Sequence, residues 1–321
     1  MTQRALVTGG AGFAAQWLER SLLERGWEVS AAGLGVPPQH GVLSDDERRS
    51  VRWMEADVRR SSDVARALDA ARPDAIFHLA GIAFVPAAAA DPGETYEVNV
   101  VGTVRLLAAV TERREAGTLD PVVLVVGSGE QYGRHDTDDM PLDEGASQSP
   151  LSVYASSKAA QEIVALQAAR AHGLRVVATR SFNHSGPGQA AHFLLPALVS
   201  RALEARANGR RSVAIGNRDP IRDYLHVEDV ASAYMALAER GLAGEVYNVC
   251  SGEGVAVGEL AAAVLQRVGV PADITTDPSL VRPVDLPVLV GSAAKLRRIT
   301  GWAPRRTRTD IIDDLIHAEA H

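Results

Sequence analysis

The feature that most constrains this chain lies at its start. Arg4-Ala5-Leu6-Val7-Thr8 is a short apolar run that passes directly into Gly9-Gly10-Ala11-Gly12-Phe13-Ala14-Ala15. A helix is expected from about Ala14 to Arg25, with Trp17, Leu18, Leu22 and Leu23 on one face; Gly26 ends it, and Glu28 to Ala32 reads as a second strand. Strand, glycine turn, helix and strand within about thirty residues make a βαβ unit of the kind that holds a dinucleotide. The glycines allow a tight turn and let a pyrophosphate approach the helix N-terminus, where free N–H groups and the dipole favour anions.

The alternation continues. Strands are expected at Val51 to Ala56, Ala75 to Ala80, Val122 to Val126 and Leu174 to Thr179, with helices at Asp63 to Ala71, Thr95 to Ala109 and within Pro150 to Ala171. The run Val122 to Val126 is continuous and β-branched, as buried parallel strands are. Beyond it the pattern loosens: helices at Ala191 to Ala207, Val230 to Ala238, Gly258 to Val268 and Ile311 to Ala318, and strands at Arg211 to Ile215, Arg222 to Val227 and Val246 to Val249. This is an α/β chain, a doubly wound parallel sheet followed by a smaller C-terminal α/β unit. The expected division is residues 1–180 for the cofactor and 181–321 for the substrate, with part of 219–250 returning to the first unit. The substrate site is expected in the cleft between them.

Bulk properties exclude other classes. A net charge of −7 argues against nucleic acid or a membrane surface as the main partner. No apolar run is long enough to span a bilayer, and Met1 to Arg4 leave no room for a signal peptide. The single cysteine, Cys250, lies in the apolar run Val246 to Cys250 and reads as a buried, inert thiol in a reducing compartment, so a cytoplasmic protein is expected. No metal site is expected.

Two stretches carry chemistry. Tyr154-Ala155-Ser156-Ser157-Lys158 places a phenol and an ammonium one helical turn apart. A nearby cation stabilises phenolate, so Lys158 is expected to lower the Tyr154 pKa and make the pair a proton-transfer device. Lys158 and Lys295 are the only lysines among 33 basic residues, in a chain that otherwise uses arginine. The second stretch, Gly127-Ser128-Gly129-Glu130, follows a strand, at the end where ligands sit in open α/β sheets. Ser128 can hydrogen-bond a substrate oxygen beside the tyrosine. Glu130 reads equally as an acid or base and as a structural carboxylate. Asp57, at the end of the third strand, can accept from an adenine amino group.

Cofactor choice stays open between NAD and NADP. The tip of the second strand, Ala32-Gly33-Leu34-Gly35, has neither the acid nor the base that usually decides it. The loop that follows holds Pro37, Pro38, His40, Arg48 and Arg49, any basic member of which can meet a phosphate.

Several of these stretches together resemble the extended short-chain dehydrogenase/reductases that act on nucleotide sugars, the epimerase/dehydratase family. Thr8-Gly9-Gly10-Ala11-Gly12-Phe13, His78-Leu79-Ala80-Gly81, Asp91-Pro92 and Asn99-Val100-Val101-Gly102-Thr103 look like its cofactor-binding motifs, and Ser128, Tyr154 and Lys158 like its catalytic set. The C-terminal half is most similar to the GDP-4-dehydro-6-deoxy-D-mannose reductases. The carriers are Phe182 to Gln189, Gly216-Asn217, Arg222-Asp223-Tyr224, Arg282-Pro283-Val284-Asp285-Leu286-Pro287 and Gly301-Trp302-Ala303-Pro304.

The resemblance implies a Rossmann-type fold and an NAD(P)-dependent oxidoreductase that reduces the 4-keto group of a GDP-4-keto-6-deoxyhexose. The alternatives are a 4-epimerase or 4,6-dehydratase with tightly bound NAD, and a non-catalytic NAD(P)-sensing scaffold. It implies cofactor contacts at Gly9, Gly12, Phe13, Ala14, Asp57, Val58, Leu79, Ala80, Gly81, Asn99, Tyr154, Lys158 and Phe182. Substrate contacts are implied at Phe84, Ser128, Asn183, Arg222 and Arg282, and Glu130 joins Ser128, Tyr154 and Lys158 as catalytic. It also implies a homodimer through the helices around 95–110 and 153–171, where Ala155, Ala159 and Ala160 allow close approach. Three departures stand out: Ala15 replaces the third glycine of the turn, Gly129 stands where dehydratases often carry an acidic or hydroxyl residue, and the Arg-rich loop of GDP-mannose dehydratases is absent.

Overall fold

The computed structural model describes residues 2–36, 41–281 and 285–319. Pro37, Pro38, His40 and Arg282, each named above, lie outside the described residues.

Strands β1 (Arg4–Thr8), β2 (Glu28–Gly33), β3 (Arg52–Glu55), β4 (Ala75–His78), β5 (Val122–Ser128), β6 (Arg175–Ser181) and β10 (Val246–Val249) form a seven-stranded sheet in the order β3-β2-β1-β4-β5-β6-β10. Every pairing in it is parallel. The chain runs outward from β1 to β3, then returns to β4 on the other side of β1, so the carboxyl ends of β1 and β4 flank the switch point where a ligand crevice opens. Side chains alternate across the sheet. Ala5, Val7, Val122 and Leu124 face one apolar cluster, and Leu6, Val123 and Val125 face the other.

Helices cover both faces. On the first lie α1 (Phe13–Glu24) and α9 (Val227–Arg240), which pack together. On the second lie α3 (Ser61–Ala71), α6 (Gly102–Glu115) and α7 (Val153–His172). The short helices α2 (Asp45–Ser50), α4 (Val85–Ala90) and α5 (Pro92–Tyr96) sit in the connections. The expected continuous helix from Thr95 to Ala109 is instead α5, a wide π-type turn over Glu97–Val101, and α6. The bulge turns Asn99 inward, which is a common reason for such turns near functional sites.

The remaining elements build a second apolar core. Strands β7 (Asn183–Ser185), β9 (Ile221–His226), β11 (Gly254–Ala256) and β13 (Val288–Leu289) form a small sheet, and β8 (Ser212–Ile215) pairs with β12 (Asp273–Thr276). Leu195, Leu198 and Val199 of α8 (Leu194–Ala207), Leu260 and Val264 of α10 (Val257–Val268), and Ile311 and Leu315 of α12 (Arg308–Glu319) bury one another there. Helix α11 (Ala294–Thr300) returns to the first core through Leu296. It was not foreseen, nor was the early start of α9. His226 caps α9, its Nδ1 accepting from Glu228 N at 3.1 Å, and histidine is not among the usual capping residues.

Candidate active site

The glycine turn leaves β1 at the switch point. Gly9 has φ +72, and a Cβ there would lie 2.8 Å from the Ala80 backbone. Gly12 caps α1 without any side-chain hydrogen bond, so the amides of Phe13 and Ala14 open toward the crevice. Ala15 is buried among Val7, Leu18 and Ala31, so the residue in place of the third glycine serves only helix-on-strand packing. The turn thus fits a dinucleotide phosphate: the space is kept by absent side chains and the donors are backbone.

Beside it, Leu79 N donates to Thr8 O at 3.1 Å, carrying Leu79, Ala80 and the exposed Gly81 along the same edge. Asn99 braces this loop. Its Oδ1 accepts from Ile82 N at 2.8 Å, and its Nδ2 donates to Ile82 O and to Ser157 Oγ. Its side chain is fully buried and committed to protein partners. Asp57 is forked by Arg59, at 2.9 Å from Nε to Oδ1 and 2.6 Å from NH2 to Oδ2, and this holds its carboxyl below the usual range. Val58 packs over Gly102 of α6.

Ser152 caps α7, accepting from Ala155 N at 3.0 Å, which fixes the first turn that carries Tyr154. Lys158, one turn on, is buried; its Nζ donates to Val126 O at 2.8 Å and to Gln161 Oε1 at 2.9 Å. Burial pushes its pKa down to about 8. Ser128 sits at the end of β5, bonded to the Tyr154 side chain, with its Oγ also accepting from Glu130 N at 3.2 Å. The structure therefore gathers Ser128, Tyr154, Lys158 and Glu130 at one sheet edge.

The electrostatics differ from expectation. The Tyr154 pKa lies above its usual value, pushed up to about 12, first by burial; the Ser128 hydrogen bond lowers it and the Glu130 charge raises it. Burial thus outweighs what the helical spacing to Lys158 led one to expect; the Lys158 ammonium itself is held by Val126 O at 2.8 Å and Gln161 Oε1 at 2.9 Å.

Behind Ser128 lies a buried ion pair. Arg180 forks Glu162, Nε to Oε2 at 2.9 Å and NH2 to Oε1 at 2.7 Å. Gln131 donates to Glu162 Oε2 at 2.9 Å and accepts from Ser128 N at 2.7 Å. Gly127 is needed for this, since a Cβ there would fall 2.5 Å from Gln131 Oε1 and 2.3 Å from Thr179 O. Phe182 is 2% exposed, its ring wedged between Gly129 and Gly291 as a wall behind the Ser128–Glu130 turn.

Val85, Glu130, Leu151, Ser152, Arg222, Asp285 and Leu289 line a cleft in front of Tyr154's helix. Arg222 reaches it from β9 but is paired with Asp285. Asn183 sits on β7, beside Tyr224 of β9, and Phe84 packs at tilted and edge-on angles against His192 and Phe193, just before α8. Asp285, Gln131, Gln161 and Glu162 were missed from the sequence. Asp285 alone carried a local signal, an acid three residues after Arg282 in a proline-flanked run.

Comparison with known proteins agrees with this geometry. The model of the family described as GDP-mannose 4,6 dehydratase matches residues 6–315. A GDP-6-deoxy-D-mannose reductase of Pseudomonas aeruginosa is 36% identical over 309 residues, covering 96% of this chain and 94% of that one. A UDP-glucose 4-epimerase of Azospirillum brasilense is 31% identical, covering 96% and 89%. The structure of RMD from Pseudomonas aeruginosa complexed with NADPH superposes with a TM-score of 0.80 at 30% identity, covering 98% of each chain.

Proposed function

The chain belongs to the GDP-mannose 4,6 dehydratase family, and on that premise we propose that it is an NAD(P)-dependent reductase of the 4-keto group of a GDP-linked 4-keto-6-deoxyhexose. The observation that carries reduction over dehydration is the contact of Phe182 with Gly129. A Cβ on Gly129 would meet three ring carbons at 3.1 Å, so a further acid beside Ser128 requires the Phe182 ring to shift. The 36% identical relative is named a reductase, which supports the same choice.

In this reading residues 1–180, completed by α9 and β10, hold the cofactor and residues 181–321 hold the nucleotide sugar. Bound reduced nicotinamide supplies the hydride. Ser128 Oγ and the Tyr154 hydroxyl both donate to the substrate 4-oxygen. As negative charge develops there, Tyr154 gives up its proton; an alkoxide is the stronger base even against a phenol of pKa about 12. Lys158 provides a fixed positive charge beneath the pair. Arg222 faces the diphosphate, exchanging its Asp285 partner for phosphate oxygens.

The test is loss of the reduced-nicotinamide absorbance when the protein meets GDP-4-keto-6-deoxymannose and NADPH. No loss beyond a protein-free control refutes the assignment. Tyr154→Phe should cut turnover by about 10²–10⁴-fold while keeping cofactor binding. The second reading, a 4-epimerase or 4,6-dehydratase, is favoured by Glu130 lining the same cleft as Arg222. It requires NAD retained through purification and released on denaturation, with no need of added reductant.

Two further properties belong to this reading. The half-exposed Val104 and the exposed Ile163, on α6 and α7, support pairing of two copies through these helices; light scattering at the mass of one chain, 34.0 kDa, rules that out. Among the described residues no helix is long and apolar enough to cross a membrane. The lone Cys250 and the nicotinamide and sugar-nucleotide ligands support a cytoplasmic protein; recovery in the membrane fraction counts against it.

A further inference from the structure

We propose that Gln161 is a positioning residue for Lys158, oriented by a buried hydrogen-bond chain that begins at Thr8 beside the glycine turn and whose donors, from both ends, converge on Thr103. The proposal deepens the reading of Lys158 as the cation of the site. The chain runs through side chains that are all buried. Thr8 Oγ1 lies 2.7 Å from His78 Nδ1, His78 Nε2 lies 2.9 Å from Thr103 Oγ1, and Gln161 Nε2 donates to Thr103 Oγ1 at 2.8 Å. Gln161 Oε1 then accepts from Lys158 Nζ at 2.9 Å.

The direction follows from counting protons. Thr103 has one hydroxyl hydrogen, and it goes to Asn99 O at 2.7 Å. Thr103 Oγ1 therefore accepts from both His78 and Gln161. That makes His78 the Nε2–H tautomer, with Nδ1 accepting from Thr8, whose oxygen in turn accepts from Ala80 N at 3.4 Å. Burial holds His78 neutral, its pKa pushed down to about 3, so no second ring proton can break the order. With its NH2 spent on Thr103, Gln161 can present only oxygen to the ammonium; the flipped amide would set donor against donor.

This matters because, among the described residues, Lys158 has no carboxylate partner. The titratable groups around it are His78 from β4, which is neutral, and Tyr154 on its own helix. Glu162, also on α7, is forked by Arg180, and Glu130 acts on the Tyr154 side. Two neutral oxygens, Val126 O and Gln161 Oε1, thus hold the ammonium in a dry site. They take two of its three protons. A Cβ on Gly81 would stand 3.4 Å from Nζ, so the remaining donor faces the exposed Gly81 edge of the crevice. Gln161 both stabilises the charged form and aims it.

The experiment uses the intact protein with lysine labelled by 13C at Cε. Two lysines give two resonances, and Lys295→Arg assigns them. Gln161→Leu should lower the Lys158 titration midpoint by about one pH unit, because an acceptor is lost and burial remains. Gln161→Glu, nearly isosteric, should raise the midpoint above that of the unmodified protein, and it supplies the decisive reading if the leucine variant does not fold. A folded leucine variant with an unmoved midpoint, or a glutamate variant with no rise, overturns the proposal. Neither measurement uses turnover, so failure of the reductase assignment and failure of this proposal are separate outcomes.

Discussion

The ring of Phe182 lies flat against Gly129: a Cβ built there meets three ring carbons at 3.1 Å. The same ring also packs closely on Gly291, where a Cβ would come within 2.4 Å of it. The Ser128–Glu130 turn and the small sheet of the second core are therefore keyed to each other through one phenylalanine.

From this contact, Gly129→Val should destabilise the protein by about 1–3 kcal/mol through overpacking. It should also lower turnover by displacing Ser128. Gly129 has no positive φ, so the cost is steric and not conformational. Replacing Phe182 by leucine in the same chain should then recover part of the loss, a coupling visible as non-additivity in denaturant midpoints. Additive losses in the double variant would show that the ring is not the obstacle.

The pH dependence of reduction should be set by Lys158 and not by Tyr154. Tyr154 stays protonated up to about 12, so it contributes no limb to the working range. Lys158, pushed down to about 8 by burial, is charged below that value and neutral above it. If the ammonium is the active form, kcat/KM should be flat on the acid side of 8 and fall about tenfold per unit above it. A profile that stays level to pH 10 would remove Lys158's charge from the mechanism.

What was legible in the sequence is what is local. The glycine turn, its helix and its strand are contiguous, and Tyr154 and Lys158 share a helix face at fixed spacing. Even Ser128 could be placed, because ligands gather at strand ends. The supporting residues were not legible, because their partners are distant in the chain. Gln131 meets Glu162 across 31 residues, Gln161 meets Thr103 across 58, and Arg222 meets Asp285 across 63. The expected fall in the Tyr154 pKa failed for the same reason. Helical spacing brought Lys158 near, but the burial that raises the phenol is set by elements distant in the chain. The break in the 95–109 helix was likewise invisible, since it exists to deliver Asn99 to Ile82 and Ser157.

Glu19 yields a prediction about stability. It lies on α1 at 0% exposure, beside Gly10, and among the described residues neither carboxyl oxygen has a hydrogen-bond partner. Burial raises its pKa from 4.5 to about 9. Between those values the folded state keeps a proton that the unfolded chain releases, so the folded state binds more protons and stability falls as pH rises. The full contribution is present below about 4.5 and is lost progressively toward 9. From pH 5 to pH 8 the loss should be about 4 kcal/mol, since each of the three pH units is worth roughly 1.4 kcal/mol. Glu19→Met fills the same space without a titrating group, so its stability should be nearly level across that interval. Urea unfolding of both proteins at pH 5 and pH 8 measures this directly. Parallel pH slopes for the two would mean that Glu19 is ionised in the folded protein and has found a partner.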